Sequence, residues 1–159
     1  MDVADRGLLS RCGIYCGACY VYRAERDGGE FLEETAEQQG VSIDEVSCMG
    51  CMGPEDALWV NCAKCRVRGC LASRGLEFCY QCGEFQERSC TYYESLAEFC
   101  AKRGEDTRGA MEEMEKDPDA WLEAQDERWR CGVCGGPYSW YEETCRSCGS
   151  HLGRTDLKP

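Results

Sequence analysis

Sixteen cysteines stand in a chain of 159 residues, and twelve of them fall in six CxxC pairs. That spacing limits the chain more than anything else in it, because each pair presents two thiols from one tight turn. Such turns serve as cross-links, as nucleophiles or as metal ligands. Hydrophobic residues reach 43% only when the cysteines are counted among them, so apolar burial alone would leave a thin core. A chain of this kind needs a staple.

Disulfides are one staple, and small exported proteins use them densely. The opening "MDVADRGLLSRCG" reads otherwise: acidic residues stand where a signal peptide needs basic ones, and its apolar run is only Leu8 and Leu9. No stretch has the length and apolarity of a membrane span. The expectation is therefore a cytoplasmic chain whose thiols stay reduced, and closely spaced reduced thiols favour metal. Formal charge is −12, from 30 acidic and 18 basic side chains. Each four-thiolate zinc adds a net −2, so four such sites would bring the total to roughly −20. That field repels a phosphate backbone, which argues against nucleic acid as a partner and favours another protein.

Cysteine placement divides the chain into a cysteine-rich region 1–104, a cysteine-free connector 105–129, a region 130–153 with the last four thiols, and a tail 154–159. The connector reads as helical. Asp117 before Pro118 suits an N-cap followed by proline in the first turn, and Trp121, Leu122, Gln125 and Trp129 share one face. In the first region "EFLEETAEQQG" predicts a helix ended by Gly40, and Ser42 with Glu45 a capping box. "TYYESLAEFCAKRG" predicts a further helix ending at Gly104. The segment around "EQQGVSIDEV" has the outline of a helix-turn-helix, but its acidic surroundings do not suit phosphate contacts.

The stretch "CGVCGGPYSWYEETCRSCG" is the clearest metal signature. Zinc takes four soft ligands in a tetrahedron, so two facing CxxC turns complete one site. Gly135 and Gly149 follow the second cysteine of each pair, where a positive φ lets nearby N–H groups point at sulfur. The aromatic "PYSWYEE" between them predicts a strand hairpin joining the knuckles. Cys131, Cys134, Cys145 and Cys148 are thereby expected to form a zinc ribbon.

The first region carries the other candidate ligands: Cys12, Cys16, Cys19, Cys48, Cys51, Cys62, Cys65, Cys70, Cys79, Cys82, Cys90 and Cys100. Twelve thiols would fill three tetrahedral sites, although Cys100, on a helix stripe, also fits a small buried apolar role. One pairing joins Cys16/Cys19 with Cys48/Cys51 and Cys62/Cys65 with Cys79/Cys82; interleaving is equally permitted. Lys64, Arg66, Arg68 and Arg74 cluster here and would compensate thiolate charge.

The order "CGIYCGACYVY", "CMGC", "CRVRGCLASRGLEFCYQCGEF" and Cys90 resembles a family of cysteine-rich prokaryotic proteins known as domain of unknown function 3795, over roughly residues 10–103. The resemblance implies metal ligation by Cys12, Cys16, Cys19, Cys48, Cys51, Cys65, Cys70, Cys79, Cys82 and Cys90, and it implies no agreed activity. The terminal ribbon lies outside the resemblance.

Catalytic zinc keeps an open position and often takes His or carboxylate ligands, whereas the lone histidine here is His151, just past the last knuckle. No phosphate-cradling loop, dinucleotide fingerprint, HExxH or nucleophile elbow occurs. The sequence thus predicts a small metal-stapled α+β protein holding about four zinc ions per chain, non-catalytic, and meeting another protein. Two alternatives stay open: an iron–sulfur electron-transfer protein with clusters in residues 12–100, and a thiol-redox or metal-transfer protein acting through Cys62 and Cys65.

Overall fold

Asp106 and Asp117 set the frame of the C-terminal half, because each accepts a hydrogen bond from a backbone N–H three residues on. The distances are 2.9 Å from Gly109 and 3.0 Å from Ala120. These caps satisfy N–H groups that a helix start otherwise leaves without partners. The computed structural model describes residues 5–154. Along it run α1 (Tyr20–Asp27), α2 (Gly29–Gln39), α3 (Val60–Ala63) and α4 (Arg66–Arg74), then α5 (Gly83–Gln86), α6 (Thr91–Ala101), α7 (Thr107–Lys116) and α8 (Pro118–Arg128). α2 stops at Gly40, and the Ser42–Glu45 capping box forms as the sequence predicts.

The fold is mainly helical and gives the α+β expectation only weak support. Among the described residues, β pairing is confined to two isolated antiparallel bridges, Arg130 with Pro137 and Thr144 with His151. The predicted strand hairpin fails for a packing reason. The Trp140 N–H donates to the Ala18 carbonyl at 3.0 Å, and the Trp140 ring joins the core, so the segment between the knuckles is pinned to the N-terminal region. Residues 1–4, where the leader argument begins, and 155–159 of the predicted tail lie outside the described residues. No helix among those described is long and apolar enough to cross a membrane.

One apolar core draws on all three predicted regions. Leu9 and Tyr15 enter it from the start of the chain, Phe85 and Tyr93 from α5 and α6, Met111 and Met114 from α7, and Trp121, Trp129 and Trp140 from the C-terminal third. Aromatic and thioether side chains give it more apolar area than the composition suggests, since each buried ring covers far more surface than a cysteine. A second cluster lies around α1 and α2, where Val21, Phe31, Val46 and Trp59 pack with Cys48. Gly13 marks a point of contact between the cysteine-rich region and α7. Its φ is +100°, and a Cβ there would run into the Thr107 carbonyl oxygen.

Candidate metal centre

The C-terminal knuckles are built twice on one plan. Cys131 N–H donates to the Gly136 carbonyl and Gly135 N–H returns to the Cys131 carbonyl, each at 2.8 Å; Cys145 with Ser150 and Gly149 with Cys145 repeat both bonds at 2.8 Å. Gly135 and Gly149 take φ of 73° and 74°, the left-handed turn that the sequence predicts for them. The turns aim four sulfurs at one point. Cys131 Sγ lies 3.7 Å from Cys148 Sγ, Cys134 Sγ lies 3.6 Å from Cys145 Sγ, and all four fall within 4.8 Å of one another. A tetrahedral ion with metal–sulfur bonds of about 2.3 Å spaces its thiolates by about 3.8 Å, so this group matches the size of a zinc site.

Local donors ready the sulfurs for a cation. Backbone N–H groups at Cys134 and Val133 hold the Cys131 thiol below its usual range. The Ser150 hydroxyl and N–H bring Cys148 down to about 6. Gly136 N–H favours the Cys134 thiolate, but crowding by Cys148 and Cys145 leaves that thiol at about 11. Four thiols this close cannot all ionise without a cation among them, and a bound divalent ion reverses that cost. His151 turns its Nδ1 to accept from the Gly153 N–H at 2.9 Å.

All sixteen cysteines are free thiols. Those of the first region gather in two neighbourhoods that meet where Cys12 lies beside Cys79, with Cys100 apart. Cys70, Cys79, Cys82 and Cys90 line one cavity. The seven others form a connected set. The Cys51 N–H points at Cys16 Sγ at 3.4 Å, and Cys19 and Cys62 pack against the apolar cluster that holds buried Cys48. Cys12 stands among Cys51 and Cys65, with burial pushing its thiol up to about 12. Cys62 and Cys65 thus neighbour the Cys48/Cys51 turn, whereas Cys79 and Cys82 line the cavity. Cys65 is the extended N-cap of α4 while Cys70 lies inside the helix, so the two thiols leave the backbone differently and reach different neighbourhoods. Cys79 and Cys82 bracket a 3₁₀ turn, where positions three apart share a face.

Cations accompany the sulfurs as the charge argument expects. Arg68 donates to the Cys51 carbonyl and approaches Cys51 Sγ at 3.6 Å, and Arg74 Nη1 approaches Cys82 Sγ at 3.4 Å. Burial pushes the Cys62 thiol up to about 12, with Cys19 and Cys48 adding to the shift, whereas thiol exchange is favoured by a lowered pKa. Cys100 is fully buried in the main core.

No curated protein and no solved structure matches this chain. One family does, over residues 8–95, which takes in eleven of the twelve first-region cysteines and leaves out Cys100 and the knuckle pair. Since that match covers more than half of the sequence, the chain belongs to the family described as protein of unknown function (DUF3795).

Proposed function

We propose that this is a zinc-binding protein of non-catalytic role, in which the C-terminal knuckle pair is a zinc ribbon held by Cys131, Cys134, Cys145 and Cys148. The observation that carries the reading is the pair of sulfur–sulfur edges at 3.6 and 3.7 Å, the dimension that tetrahedral zinc imposes. Four thiolates fill the tetrahedron and leave no position for water or substrate, which is the form of a structural site. Thiols kept for metal ligation suit a reducing compartment such as the cytoplasm.

A structural ribbon serves by what it displays. Val133, at the tip of the first knuckle, is 76% exposed, an apolar side chain held out on a turn that the ion would make rigid. With a formal charge of −12, the surface favours a protein partner with a basic face over nucleic acid. The test is zinc content of chain purified under reducing conditions, wild type against Cys134→Ser. The variant is expected to hold one zinc fewer, with the helical circular dichroism of α1 to α8 retained. Equal zinc in both proteins would reject the ribbon.

A further inference from the structure

Four thiols of the first region line a common cavity. Cys70 comes from α4, Cys79 and Cys82 from the turn leading into α5, and Cys90 from the N-cap of α6; all four line a cavity of about 320 Å³. The ribbon shows how closely sulfurs can be set in the same chain. Yet among the described residues no other group of three or more His, Cys, Asp or Glu ligand atoms falls within 4.8 Å. Thiolate centres differ in this dimension. A single zinc draws four sulfurs to about 3.8 Å, whereas a cubane cluster puts four irons between its ligands and spreads them to about 6 Å.

From this contrast we infer that Cys70, Cys79, Cys82 and Cys90 hold a [4Fe–4S] cluster. The walls suit it. Val67, Leu71, Phe85 and Tyr93 are buried apolar side chains on the cavity, and a cluster tolerates a dry, apolar shell when donors reach its sulfurs. Two donors are in place: Arg74 Nη1 lies 3.4 Å from Cys82 Sγ, and the Tyr93 N–H lies 3.4 Å from Cys90 Sγ. Four thiolates around a 2+ core carry a net −2; Arg66 and Arg74 line the cavity as cations, and Arg74 also pairs with Glu84 at 2.9 Å. Cys70 is exposed, so one edge of the cluster meets solvent. On binding, four thiols release four protons, four sulfur–iron bonds form to a 2+ core, and no electron moves.

The inference is independent of the ribbon reading, and the experiment reads the two separately. The full chain, carrying its zinc, is incubated without oxygen with equal parts of ferrous and ferric iron plus sulfide, desalted, and assayed for iron, sulfide and zinc. Expected is a brown protein absorbing near about 400 nm. The double variant Cys79→Ala/Cys82→Ala should lose four iron and four sulfide relative to wild type and keep the ribbon zinc. Cys134→Ala should lose zinc and keep the iron. Cys100→Ala serves as a folding control and should match wild type in both. Should the double variant fail to fold, iron X-ray absorption of the wild type decides instead, with iron neighbours at about 2.7 Å expected of a cubane. Absence of sulfide from the wild type, zinc in the cavity in place of iron, or iron unchanged in a folded double variant would each overturn the cluster. Cluster formation without ribbon zinc would leave it standing and remove the reading of the ribbon.

Discussion

Cys100 separates the two uses of cysteine in this chain. It shares the stripe of Tyr93 on α6 and lies in the main core, where burial pushes its thiol up to about 11, with Glu105 adding and Arg103 opposing. The folded thiol therefore keeps a proton that an unfolded one gives up near pH 9. Its contribution to stability is complete below that value and is lost as pH rises through about 11. Urea midpoints of wild type should thus fall more steeply above pH 9 than those of Cys100→Ala, while metal content at neutral pH stays the same; parallel pH profiles would contradict this placement. From sequence, a thiol on an apolar helix stripe fits core and ligand equally, so only the three-dimensional neighbours decide. Gly135 and Gly149 were legible without them, because a knuckle turn fixes φ from local sterics alone.

At the scale of elements, what the sequence revealed depended on how local the cause was. Asp117 followed by Pro118 predicts a capped helix start, and α8 begins there with Ala120 N–H bonded to the Asp117 carboxylate at 3.0 Å. Removing that acceptor in Asp117→Ala is expected to cost about 1 kcal/mol in urea unfolding of metal-loaded protein, with Asp117→Asn close to wild type. A null effect of alanine would mean that α8 is held by packing alone. The aromatic stretch between the knuckles misled for the opposite reason. Period and propensity describe a strand, but Trp140 answers to a partner more than a hundred residues earlier, the Ala18 carbonyl. Which thiols neighbour one another is likewise set at long range, as where Cys62 lies beside Cys19 and Cys48.

For the whole molecule, the division into cysteine-rich region, connector and ribbon describes composition more than cohesion. One core runs from Leu9 to Trp140, and α7 and α8 lie inside it. Gly13 against the Thr107 carbonyl is the closest expression of that contact. Gly13→Ala combines a strained φ with a backbone clash and should destabilise the protein by at least about 1–3 kcal/mol, read as a lowered urea midpoint. An unchanged midpoint would show that the two parts move apart freely. An ion held by the four knuckle thiols would act beside this core, fixing turns that carry few apolar residues of their own. The most direct test is native mass spectrometry of the full chain purified under reducing conditions without chelator. The account predicts an intact mass raised by zinc, with one zinc absent from Cys131→Ser. A wild-type mass equal to the bare sequence, with the exposed thiols Cys134 and Cys148 open to alkylation in the folded state, would contradict it.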